Sequence, residues 1–177
     1  MQSVPGVAAI VVMGVSGAGK STVGQLIAAR LDCPFRDADS FHPQANIDKM
    51  SKGLPLTDED RRPWLAAIAQ WIDERLAAGE CGIVSCSALK RAYRRIIVGE
   101  RAGVRLVYLK GDMELIGDRL SRRRNHFMPP ALLRSQFDAL EEPQSDERAL
   151  SVPISLTPRR VVEAIMQELK LAALARG

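Results

Sequence analysis

The chain has 177 residues, 46% of them hydrophobic and 26% charged, with a net charge of +4. That length suits a single domain, here 1–177, and the mix is that of an ordinary globular protein rather than a low-complexity chain. No apolar run reaches the about 18 residues that a membrane span needs, so no membrane partner is expected.

Strands alternate with helices along the chain, the pattern of a parallel sheet covered on both faces. The apolar run 8–15 predicts a first strand buried on both sides. The segment before it lacks a basic region and reads as the approach to a core strand, not as a signal peptide. A helix is predicted over 20–31, with Val23, Leu26, Ile27 and Leu31 on one face. A short second strand follows near 34–37, then a polar stretch over 41–56 with a short helix around 46–52. Thr57 reads as a helix cap with Asp60 as its capping-box partner. Pro63 predicts a break, with the helix proper running over 63–78. Trp64 and Trp71 fall on its apolar stripe and read as core.

The third strand is expected over 82–87, with Ser87 capping a helix that turns Leu89, Tyr93 and Ile97 inward. The fourth strand is expected over 104–110, and Asp112 caps the next helix. A basic loop leads to a helix over 131–140 and a last strand over 150–156. Thr157 and Pro158 then open the closing helix. Cys33, Cys81 and Cys86 form an odd set without a C-x-x-C pair, which predicts reduced thiols and a cytoplasmic setting.

One motif decides the class. Gly14-Val15-Ser16-Gly17-Ala18-Gly19-Lys20-Ser21 matches the P-loop pattern at every position. A triphosphate packs several negative charges into a small volume. Backbone N–H groups can surround it only where side chains do not block the approach, which accounts for Gly14, Gly17 and Gly19. The helix from Lys20 turns its positive end toward the anion. Lys20 suits the β- and γ-phosphates, Ser21 suits Mg²⁺, and Thr22 sits beside them. ATP and Mg²⁺ are therefore the expected cofactors.

The third strand ends without a carboxylate, whereas the second ends in Asp37-Ala38-Asp39, at the sheet edge where α/β proteins bind ligands. One carboxylate is expected to hold a magnesium water and the other an acceptor hydroxyl. The alternative for either is a cap on the next segment. The cluster Arg119, Arg122, Arg123, Arg124 with His126 has two readings, a solvated helix end or a lid that closes over ATP.

The sequence resembles the gluconokinase family, in the shikimate-kinase and nucleoside-monophosphate-kinase branch of the P-loop kinases. Beyond the P-loop, the resemblance rests chiefly on Asp37-Ala38-Asp39, Phe41-His42-Pro43 and Cys86-Ser87-Ala88-Leu89-Lys90. Asp58-Glu59-Asp60-Arg61, Gln136-Phe137 and Glu141-Glu142-Pro143 add to it. The lid departs from the family pattern at Arg124-Asn125 and Pro129-Pro130.

The resemblance implies a three-layer α/β fold with a five-stranded parallel sheet in the order 2-3-1-4-5. It implies a substrate-side insertion over about 40–62, a lid over about 120–135, and a homodimer. It implies that Asp39 touches the acceptor hydroxyl as base and that Asp37 holds Mg²⁺ through water. His42, Arg61, Lys90 and His126 would line a gluconate site, Arg119 would lie near the adenine, and position 6 would be phosphorylated. The rival kinase is a shikimate-like one. A nucleic-acid partner is not expected, because aromatics are only 5% of residues and stacking platforms are lacking.

Overall fold

The computed structural model describes residues 6–123 and 129–174. β1 (Ala9–Met13) is buried along its whole length and leads through the glycine loop into α1 (Lys20–Leu31). β2 (Phe35–Asp37) runs into a 3₁₀ turn, Ala38–Phe41, and then α2 (Gln44–Ser51) and α3 (Asp58–Ala78). β3 (Gly82–Ser85), α4 (Arg91–Ile97), β4 (Val104–Lys110) and α5 (Met113–Ser121) follow. After α6 (Pro130–Ala139) come β5 (Leu150–Pro153) and α7 (Pro158–Leu174).

All strand pairs are parallel, and the order is β2-β3-β1-β4-β5, as expected. Alternation along β1 splits the core in two. Ile10 and Val12 face α1, α5 and α7, against Ile27, Ile116, Val161 and Ile165. Val11 and Met13 face α3 and α4, against Leu65, Ile68, Ile72 and Ile97. With β1 central, the loop after it lies between the two flanks of the sheet. Among the described residues no helix is long and apolar enough to cross a membrane.

Three expectations are corrected. First, α3 runs straight through Pro63. The carbonyl that proline deprives of its helical partner is that of Glu59, on the exposed first turn, where water can serve it. The Thr57–Asp60 capping box forms as expected: Asp60 N–H donates to Thr57 Oγ1 at 3.1 Å and Thr57 N–H to Asp60 Oδ2 at 2.9 Å.

Second, Ser87 does not cap α4, which starts four residues later. Glu141 caps it from across the molecule, accepting from Arg91 N–H at 2.8 Å. Residues 86–90 form a loop held from beneath by Arg94. This arginine donates to the carbonyls of Ala88 at 3.0 Å and Leu89 at 3.1 Å. Its guanidinium also forks onto Glu147 at 2.6 and 3.0 Å.

Third, Cys33 and Cys81 form a disulfide with their Cα atoms 5.5 Å apart, leaving Cys86 as the buried free thiol. The sheet register is the cause. Phe35 pairs with Ile83, and the same register carried two residues back sets Cys33 opposite Cys81.

Candidate active site

The P-loop closes a bowl at the C-terminal end of β1. Gly17 and Gly19 take φ values of +87° and +90°, where a side chain is strained. A Cβ on Gly17 would also stand 2.8 Å from Leu120 Cγ. Gly19 brings no side chain to cap α1, so the first-turn N–H groups face the bowl. Gly14 lies at its base, its N–H donating to the Ser87 carbonyl at 3.4 Å. Val15 turns its side chain into the core and offers its carbonyl to Lys20 Nζ at 3.0 Å. Burial pulls the Lys20 ammonium below the ordinary lysine value, while Cys86, Asp37 and Asp39 act the other way.

Ser21 Oγ donates to Asp37 Oδ2 at 3.0 Å, and Asp37 Oδ1 accepts from Asp39 N–H at 2.9 Å. Asp37 therefore takes the capping role that the sequence left as an alternative, and its other oxygen faces the P-loop hydroxyl. Asp39 is exposed on the first turn of that 3₁₀ segment. The chain leaves the extended form at Ala38, so the turn and not strand alternation aims Asp39.

These groups line a cleft of about 750 Å³ together with His42, Arg61, Trp64, Lys90, Tyr93, Arg123 and Gln136. The His42 ring stacks on Trp64, with centroids 4.5 Å apart and planes at 11°. Trp64 is fixed in turn by Nε1, which donates to the Ala38 carbonyl at 2.7 Å. Asn46 Nδ2 lies 3.3 Å from His42 Nδ1 and donates to the Asp60 carbonyl at 2.8 Å. Burial lowers the His42 pKa below the ordinary value, Asp39 opposes this and Arg61 adds to it, so the ring is neutral near pH 7.

On the far wall Arg61 Nη1 stands 3.4 Å from the Tyr93 hydroxyl and 3.9 Å from Asp58. Lys90 Nζ donates to Asp58 at 3.3 Å, and Tyr93 donates to the same oxygen. The Tyr93 and Lys90 hydrogen bonds hold the Asp58 carboxyl below the usual range. Cys86 lies under the floor, where burial pushes its thiol up to about 12.

A second cavity of about 240 Å³ opens on the other side of the P-loop. Gly17, Ala18, Gly19 and Thr22 form one wall, Arg119, Arg122 and Arg123 another, and Ile154, Leu156 and Val161 an apolar one. Arg119 is held by a hydrogen bond to the Ile154 carbonyl. A cavity with an apolar wall beside the P-loop suits a nucleobase. A further cavity of about 840 Å³ lies at the N-terminal ends of β4 and β5 and contains no P-loop residue.

The structure thus brings Lys20, Ser21, Asp37, Asp39, His42, Arg61 and Lys90 to one cleft, with Thr22 on both cavities and Arg119 on the smaller one. His126 lies outside the described residues. Sequence reasoning missed Trp64 as the platform under His42, Tyr93 and Asp58 beside Lys90, and Gln136. The last accepts from Ser16 N–H at 2.7 Å and donates to Ser16 Oγ at 2.9 Å, joining α6 to the P-loop. Lys90 stands just before α4 and Tyr93 in its first turn, so their closeness in the chain was the available signal.

Comparison with known proteins adds the following. The family model described as shikimate kinase matches residues 16–169. A gluconokinase of Gluconobacter oxydans (strain 621H) is 44% identical over 158 residues, 89% of each chain. The crystal structure of a gluconokinase from Sinorhizobium meliloti 1021 is 45% identical, with a TM-score of 0.78 over 96% of this chain and 92% of that one. That of a sugar kinase from Janibacter sp. HTCC2649 is 41% identical, with a TM-score of 0.83 over 95% and 97%.

Proposed function

The chain belongs to the gluconokinase family, within the wider shikimate-kinase group, and from that premise we propose that it transfers the γ-phosphate of ATP to D-gluconate, giving 6-phospho-D-gluconate. The observation that carries the proposal is a single cleft with a phosphate bowl at one end and two cations, Arg61 and Lys90, at the other. A sugar acid has an anionic end and a hydroxyl chain. The cleft offers cations for the first, and carboxylate and imidazole groups for the second. A shikimate-like acceptor is the lesser reading, because the relatives at 44% and 45% identity are gluconokinases.

In this reading the N–H groups of 14–21 and Lys20 hold the phosphates, and Thr22 and Arg119 flank the nucleotide. Asp39 orients the acceptor oxygen and takes its proton, while His42, Arg61 and Lys90 fix the sugar acid. Phosphoryl transfer demands little more than such positioning and charge neutralisation. His126, in the lid over about 120–135, completes the substrate contacts, and closure excludes water that would otherwise accept the phosphate.

The neighbouring oxygens of Ser21 and Asp37 suit Mg²⁺, a hard cation that keeps several waters and few protein ligands. Ser21 would bind it directly and Asp37 through water. Bound there, it supplies positive charge to the phosphate oxygens. The proposal includes a single kinase domain over 1–177, a homodimer, no nucleic-acid partner, and the cytoplasm as the place where ATP is consumed.

The test is ADP release from Mg²⁺-ATP with gluconate, shikimate, glucose, nucleoside monophosphates or no acceptor. Turnover selective for gluconate is expected, and turnover with another acceptor instead would overturn the substrate. With gluconate, Asp39→Asn is expected to lower kcat by about 10²–10⁴-fold at native folding, the usual span for loss of an acid–base group. Near-normal turnover would remove Asp39 as base and orienter.

A further inference from the structure

Arg61, Lys90 and Tyr93, which line the cleft, present a guanidinium, an ammonium and a phenol to one point at its edge. That point is already taken by a carboxylate, that of Asp58. We propose that Asp58 is an internal stand-in for the substrate's carboxylate: it occupies the acid-recognition corner in the empty enzyme and is displaced when the sugar acid enters. The inference rests on the gluconokinase reading for the identity of the incoming acid.

Three observations support it. Asp58 is not needed where it stands, because the N-terminus of α3 is already capped by Thr57 and Asp60. Its side chain is 63% exposed, so water is ready to receive it when it swings away. The pair it makes is correspondingly weak, since exposed ion pairs contribute little. The donors also match the ligand. A guanidinium and an ammonium that both converge on a carboxylate are suited to any carboxylate of similar reach.

The exchange keeps the empty corner in order. With Asp58 in place the two cations do not stand side by side without an anion, where like charges would spread the corner apart. A neutral polyol has no carboxylate with which to replace that of Asp58, so it leaves the pair in place. An acid displaces it. Asp58 in this way lowers the affinity for gluconate and leaves that for its uncharged analogues unchanged.

The test compares the wild type with Asp58→Asn and Asp58→Ser, the second because serine suits a helix start. Glu59→Gln is the control: it removes a charge from the same exposed turn without touching the trio. Read-outs are KM for gluconate, KM for ATP, and the inhibition constant of the neutral polyol D-glucitol against gluconate. Both Asp58 variants are expected to lower the gluconate KM by about two- to fivefold, the equivalent of one exposed ion pair. KM for ATP and the glucitol constant should stay put in them, and Glu59→Gln should leave all three unchanged.

A raised gluconate KM in both variants would make Asp58 a direct substrate ligand and overturn the exchange. So would an unchanged KM, or the same fall in Glu59→Gln, which would reduce the effect to general charge. Wild-type protein that turns over no gluconate overturns the gluconokinase reading and this exchange with it. Failure of the exchange alone leaves wild-type gluconate turnover intact.

Discussion

His42 illustrates how one side chain carries packing into chemistry. Its ring lies flat on Trp64, and burial keeps its pKa below 6.5. The folded state therefore releases the proton more readily than the unfolded chain. Above the unfolded value the ring is neutral in both states. As pH falls through 6.5 toward the lower folded value, the unfolded chain takes up its proton first and stability is lost. Between about pH 7.5 and about pH 5.5 the wild-type Tm should fall more steeply than that of His42→Gln, and parallel slopes would clear His42 of this role. The P-loop and Asp37 were legible in the sequence from a motif and a strand end, whereas Arg61 and Lys90 entered only through the family resemblance. Tyr93 was legible only as an inward residue. The reading placed the helix start at Ser87, whereas α4 begins at Arg91. The ring does pack against the core, but the hydroxyl reaches the cleft.

The helix α4 and the loop before it depend on an arginine that no pattern announces. Charged residues are expected outside, yet the Arg94 side chain is 2% exposed and its partner Glu147 12%. Arg94 holds the carbonyls of Ala88 and Leu89, and so the loop that delivers Lys90. Arg94→Leu would strand a buried carboxylate and two carbonyls. It should destabilise the protein by about 3–5 kcal/mol, read from the urea midpoint. Adding Glu147→Leu should recover part of that loss, and a double variant no better than the single would argue against the pair. Element boundaries elsewhere followed local chemistry closely: α1, β4 and the Thr57 cap fall where their residues dictate. Pro63 was misjudged because it sits early enough in α3 for the one orphaned carbonyl to meet water.

At the scale of the whole molecule, alternation of strands and helices gives a parallel sheet but not which strands are neighbours. The order β2-β3-β1-β4-β5 came from family resemblance, and it is the pairing of β2 with β3 that brings Cys33 beside Cys81. Counting cysteines could not show it, since the pairing lies in the register. Thiol titration checks the outcome. The native protein should show no fast-reacting thiol, because Cys86 is buried and held up to about 12. Denatured without reductant it should show one per chain, and three after reduction; three without reductant would mean the bridge is absent. The same bridge encloses both α2 and α3 and the exposed connector between them. A protease that nicks that connector would therefore cut the backbone without separating the pieces. The two fragments would remain one covalent molecule, and the half of the cleft carrying Arg61 would stay tethered to the half carrying the P-loop.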